Sequence, residues 1–205
     1  MRVYLDTNVI LARYAPNEPQ HDESKSLMKK IETGKLAAVT SVLTLVEVVC
    51  TTSRAYQKFD NEANALGREE VAGAFLRRLL NIKKLQFIPM GGELSVVAEQ
   101  RQVKLPALYA LALEIGSKTG VKTLDSLHLA SASIASRIYG DKVDYFVTLD
   151  EDILKKHEEL RCLIDSKIAS PVNLKKNLNE SRKEVYLKQS FVKKPILNEE
   201  LRFLS

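Results

Sequence analysis

Asp6, Glu47, Asp125 and Asp150 are the residues of this chain whose type and placement point to chemistry. Asp6 closes the short β-rich run Arg2-Val3-Tyr4-Leu5, and Asp150 follows Tyr145-Phe146-Val147-Thr148. Asp125 lies in Thr123-Leu124-Asp125-Ser126-Leu127-His128, and Glu47 sits between Leu45-Val46 and Val48-Val49. Carboxylates drawn to one point raise each other's pKa unless a cation offsets the repulsion. The matching cation is a hard divalent ion, because Mg2+ and Mn2+ take oxygen ligands and Mg2+ keeps several waters. A site of that kind activates a water and stabilises charge on a phosphate.

Each acid also has a structural reading. Asp6 before a helix, Asp125 before Ser126 and Asp150 before Glu151 all suit helix caps or turns, and Asp152 suits a first-turn acid facing a helix dipole. Glu47 is the hardest to explain structurally, since an ionised carboxylate among apolar neighbours is costly unless paired or bound to a cation. A salt bridge is its alternative. Other chemistries lack their residues: there is no phosphate-binding glycine loop, no dinucleotide-binding glycine turn and no nucleophile elbow, and His21, His128 and His157 lack zinc spacing.

The elements that must position these acids alternate. Arg2–Leu5 reads as a strand followed by a polar turn and a helix over Val9–Leu11. Leu36–Val39 reads as a second strand, with Thr40 or Ser41 as N-cap of a helix over Val42–Arg54. A helix over Glu69–Leu80, a strand over Leu85–Ile88, and helices over Glu93–Val103 and Pro106–Ile115 follow, with Pro106 at a first helical position. Small residues at Ala130, Ser131 and Ala135 mark the next helix as one lying close against a sheet. Tyr145–Thr148 is a strand, Glu151–Leu160 an amphipathic helix, and Cys162–Ile164 or Ile168–Ala169 a last strand. This pattern predicts an α/β fold, three-layer α/β/α with a mostly parallel central sheet. Ligands in such folds gather at the carboxyl ends of strands where strand order reverses.

The chain has 205 residues, enough for one domain with an appendage. Its net charge of +5 is unevenly spread: Asn173–Ser205 holds eight Lys or Arg against four Glu, which leaves +1 for the rest. The expected division is a body over 1–172 and a basic C-terminal extension over 173–205. The cysteines, Cys50 and Cys162, are too sparse for a disulfide scaffold and are read as buried thiols. No apolar run approaches a membrane span, and the expected location is cytoplasmic.

The segments Tyr4-Leu5-Asp6-Thr7-Asn8-Val9, Thr40-Ser41 through Glu47, Leu124-Asp125-Ser126-Leu127-His128-Leu129-Ala130 and Phe146-Val147-Thr148-Leu149-Asp150-Glu151-Asp152 resemble those of the PIN-domain nucleases, in the family's order. The resemblance implies a metal-dependent endoribonuclease whose Asp6, Glu47, Asp125 and Asp150 hold Mg2+ or Mn2+, with Asp152 as the alternative last ligand. A metal-bound water would then attack the scissile phosphate, leaving a 5′-phosphate and a 3′-hydroxyl. Thr7, Asn8 and Thr148 match supporting polar positions, and His128 a position with a packing role. The family includes toxins of toxin–antitoxin pairs, which implies single-stranded RNA as substrate, a small antitoxin as partner and a homodimer. This chain is longer than such toxins, through the stretch from Thr51 to Leu80, the two helices expected between Glu93 and Gly116, and the basic extension.

Two alternatives compete. A non-catalytic module of the same fold would bind RNA or protein without cutting, and the retained Glu47 argues against it. A phosphatase of the haloacid-dehalogenase type uses an Asp at the end of the first strand, but it wants a second Asp two residues later, where this chain has Asn8.

Overall fold

The computed structural model describes residues 1–56, 67–98 and 101–180. Five parallel strands form the central sheet: β1 (Arg2–Leu5), β2 (Ala37–Ser41), β3 (Leu85–Ile88), β6 (Tyr145–Val147) and β7 (Lys167–Ala169), in the order β3-β2-β1-β6-β7. The expected α/β sheet is present, and every pairing in it is parallel. The chain fills one half outward from β1 and then crosses to the other, so the order reverses beside β1.

Alternate residues of the strands face opposite layers, as the two-residue period requires. Val3, Leu5, Ala38 and Val147 pack with α1 (Thr7–Ala12), α2 (His21–Glu32), α3 (Leu43–Arg54) and α4 (Arg68–Leu80) in one core. Tyr4, Val39 and Phe146 pack with α5 (Ala107–Thr119), α6 (Thr123–Arg137), α7 (Glu151–Lys155) and α8 (His157–Ile164) in the other. In α6 every residue from Ser126 to Ala135 is buried. The small side chains at 130–133 allow a helix to be enclosed all round between α5 and the sheet, because their bulk does not hold its backbone away. A further helical segment, 171–180, follows β7, and its Leu174 joins the first core.

Several expectations need correction. Glu93–Val103 is not helical: β4 (Glu93–Ala98) and β5 (Arg101–Pro106) form an antiparallel pair separate from the main sheet. The adjacent β-branched residues Val96 and Val97, and the alternation Gln102-Val103-Lys104-Leu105, favour extended backbone. Pro106 is the N-cap residue of α5, and the helix ends at Thr119 with left-handed Gly120 (φ 65°) as its cap, a position glycine takes without strain. Thr40 and Ser41 belong to β2, although the Ser41 hydroxyl does accept a bond from the Leu43 N–H at 3.1 Å. The Glu151–Leu160 stretch divides into α7 and α8, and Cys162–Ile164 ends α8, which leaves β7 as the last strand. Both cysteines are exposed, because the faces of α3 and α8 that carry them look outward. Part of the segment noted between Thr51 and Leu80, residues 57–66, lies outside the described residues.

Candidate active site

The site forms at the carboxyl edge beside β1, where strand order reverses. Asp6 extends the β1–β6 ladder, its N–H donating to the Val147 carbonyl at 3.0 Å. It stands at the N-cap of α1 but makes no side-chain cap bond. Its carboxylate turns instead toward β6, where Oδ2 accepts from Thr148 Oγ1 at 2.6 Å and from Asn8 Nδ2 at 2.8 Å. Asn8 also accepts from the Leu149 N–H at 3.0 Å, and Thr148 Oγ1 accepts from the Asp150 N–H at 3.0 Å. Asn8 and Thr148 thus lock together the two turns that carry Asp6 and Asp150. Asp6 is 6% exposed, and burial raises its pKa; the charge of His128 and the Thr148 bond oppose that, while Glu47 adds to it.

Glu47 is half-buried and paired. Its Oε2 accepts from Thr7 Oγ1 at 2.5 Å and lies 2.6 Å from His128 Nε2. The salt-bridge reading of Glu47 therefore finds a partner, a histidine rather than a Lys or Arg. Burial pushes the Glu47 carboxyl up, but the His128 bond and charge and the Thr7 bond outweigh it and the net shift is downward. For His128 the same balance runs the other way: burial disfavours its charge, yet Glu47 and the charges of Asp6 and Asp125 raise its pKa. Its Nδ1 meets the Tyr4 hydroxyl at 2.8 Å. Beneath Thr7, the hydroxyls of Thr44 and Thr40 continue to the Leu5 carbonyl, so the base of the site is held by bonds between α3, β2 and β1.

Asp125 lies in the first turn of α6, which begins at Thr123, so it does not cap that helix. Its Oδ2 is buried with no hydrogen-bond partner. Burial and the charges of Asp150 and Asp6 raise its pKa to about 6, against the opposing charges of Lys122 and His128. Asp150 does cap a helix: its Oδ1 accepts from the N–H groups of Asp152 at 2.7 Å and Ile153 at 3.2 Å. Its Oδ2 lies 3.8 Å from Lys122 Nζ, which is 3.4 Å from Asp152 Oδ2. Asp150 and Asp152, first of all, raise the Lys122 pKa. Sequence reasoning missed Lys122, the extended N-cap residue of α6 three positions before Asp125.

Among the described residues, no three His, Cys, Asp or Glu side chains already stand as a metal-holding group. The donor set still suits a hard divalent ion that keeps most of its waters, since Asp125 offers an unpartnered buried oxygen and the clustered negative charge lacks a full counter-charge.

A chain of the VapBC2 complex from Rickettsia felis, solved bound to a DNA fragment from its promoter, shares the fold: it matches 83% of this chain and 98% of its own length at a TM-score of 0.50 and 11% identity. No curated protein matches the sequence. The PIN-domain family model matches residues 3–160, the span that runs from β1 into the first half of α8 and holds all four acids, and the chain therefore belongs to the PIN-domain family.

Proposed function

We propose that the chain is a divalent-metal-dependent endoribonuclease acting on single-stranded RNA, with Asp6, Glu47, Asp125 and Asp150 as its acidic site. The observation that carries this is the unpartnered, buried Asp125 Oδ2, in a carboxyl whose pKa is raised to about 6 by burial first and then by the charges of Asp150 and Asp6. A fold has no use for that arrangement, and a bound cation relieves it. Asp6 and Asp125 would hold Mg2+ or Mn2+, with Asp150 or Asp152 and Glu47 reaching it directly or through water. Such an ion supplies a water of lowered pKa and positive charge for the phosphate. The chain's own residues hold the geometry: Asn8 and Thr148 aim Asp6, Thr7 and His128 fix Glu47, and Lys122 stands at the mouth where a phosphate would arrive.

Membership of a family of nucleases supports hydrolysis of phosphodiester bonds, leaving a 5′-phosphate and a 3′-hydroxyl. The VapBC2 neighbour supports the reading of a toxin of a toxin–antitoxin pair with a small antitoxin as partner; a homodimer in the cytoplasm completes the proposal, from the resemblance to such toxins. The nuclease body would span 1–172, and the basic extension 173–205, in which Leu174 is buried, would dock on a partner or track RNA phosphates.

The test is Mn2+-dependent cleavage of a single-stranded RNA by the wild-type protein and its loss in Asp6→Asn with an unchanged circular dichroism spectrum. Equal cleavage by both proteins overturns the assignment, and RNA binding with neither cleavage nor metal binding favours the non-catalytic module.

A further inference from the structure

The body of the chain is nearly neutral, yet four of its cations border one cleft. Arg13, Arg77, Arg78 and Lys83 line a cavity of about 730 Å³ between the end of α1, the end of α2 and the end of α4. Arg13 is fixed there by an ion pair with Glu32 and by its guanidinium, 5.0 Å above the Tyr14 ring. Tyr14 is held in turn edge-on to Phe75, with centroids 4.7 Å apart. Arg13 thereby neutralises Glu32, the acid of this lining. Arg77, Arg78 and Lys83 make no ion pair among the described residues. Burial raises the Tyr14 pKa, and the charge of Arg78 reaches the phenol and opposes that rise.

Basic residues in the last turn of a helix complement its dipole, which accounts for Arg77 and Arg78 on α4. It does not account for Arg13 and Lys83 converging on the same cavity from other segments. Like charges gathered in this way favour an anion between them, and guanidinium forks match phosphate oxygens in two-point contacts.

We propose that this cleft binds backbone phosphates of the RNA chain cut at the acidic site, as a second contact point away from the chemistry; the inference rests on the ribonuclease reading. Arg13 follows α1 and Lys83 precedes β3, whereas Asp6 and Asp150 follow β1 and β6, so cleft and acids lie at opposite edges of the sheet. A helix of this length and a strand of four residues each span on the order of 10 to 15 Å. Single-strand-binding surfaces commonly cover about 4 to 16 nucleotides, so an oligonucleotide of modest length reaches both places and a dinucleotide does not.

The experiment compares wild-type protein with Arg77→Glu/Arg78→Glu, and with the milder Arg77→Gln/Arg78→Gln, on an RNA of about twelve nucleotides and on a dinucleotide. The expected result is a KM for the long RNA raised about ten-fold or more, kcat unchanged, and dinucleotide cleavage unaffected. In Asp6→Asn protein with Ca2+, the same substitutions should reduce the slope of log affinity against log salt by about 1.4, two phosphate contacts at roughly 0.7 each. Equal losses on both substrates, or unchanged KM and salt slope, overturn the cleft assignment, as does binding of AMP or inorganic phosphate there without any effect on RNA. If wild-type protein cleaves nothing, the ribonuclease reading fails, and the salt slope still reports on the cleft separately.

Discussion

The His128 imidazole lies 2.6 Å through Nε2 from Glu47 Oε2 and 2.8 Å through Nδ1 from the Tyr4 hydroxyl, so one ring joins α6, α3 and β1. Its raised pKa gives stability that is full below its ordinary value of 6.5 and is lost as pH rises through the folded-state value. Glu47, lowered from 4.5, gives stability present above that value and lost as pH falls through its folded-state value. The pair is therefore strongest between the two, near pH 6. His128→Asn should destabilise the protein by roughly 2 kcal/mol in urea titrations at pH 6, and by less at pH 9. A penalty equal at both pH values would mean that the ring acts by packing alone.

Asp125→Asn should stabilise the metal-free protein. A carboxyl raised from 3.8 to about 6 weakens the folded state above that pH, and the penalty disappears as pH falls toward 3.8. Discounted for its partial exposure, the gain at pH 8 is about 1 kcal/mol, or about 2 to 4 °C in Tm for a chain of this size. A lower Tm at pH 8 would show that Asp125 has a folded-state partner.

Mn2+ at a hundred times its Kd should add about 2.7 kcal/mol of stability to the wild-type protein, and EDTA should remove it. Asp125→Asn should show neither effect in thermal melts. An equal Mn2+ shift in that variant would place the ion elsewhere.

Lys122 competes with any cation for Asp150 and Asp152. Lys122→Met should tighten Mn2+ binding roughly three-fold by calorimetry, as expected for removing an exposed ion pair, and should lower kcat if the ammonium meets the phosphate. Weaker Mn2+ binding would show that Lys122 orders the acids instead.

Thr148→Val keeps the shape but removes a hydroxyl that donates to Asp6 and accepts from Asn8 and from the Asp150 N–H. The loss should cost about 1 to 3 kcal/mol in denaturant and should reduce kcat more than it raises KM, since Asp6 loses its aim. Unchanged kinetics would assign Thr148 to stability only.

The alternation of strands and helices was legible because parallel strands buried on both faces are written as short apolar runs, such as Val3-Tyr4-Leu5 and Tyr145-Phe146-Val147. The acids were legible because Asp6 and Asp150 end such runs and Glu47 interrupts an apolar helix. The β4–β5 pair was not, because Leu94 and Val97 also fit a helical spacing and the period over so few residues is ambiguous. The exposure of Cys50 was hidden by the apolar sequence of α3, one stripe of which, with Val46 at 61% exposure, faces outward. The His128–Glu47 pair and the approach of Lys122 to Asp150 depend on helices distant in sequence, which no local pattern encodes.

Because β1 lies between β2 and β6, its last partner is separated from it by more than half of the chain: Leu5 pairs with Val147. A polypeptide leaving the ribosome exposes Asp6 and Glu47 well before Tyr145–Val147 has been made. Until then Asp6 lacks both the carbonyl that receives its N–H and the Thr148 hydroxyl that aims its carboxylate. The order of synthesis thus leaves Asp6 without its partners across the sheet until the last part of the body has been made and the sheet closes.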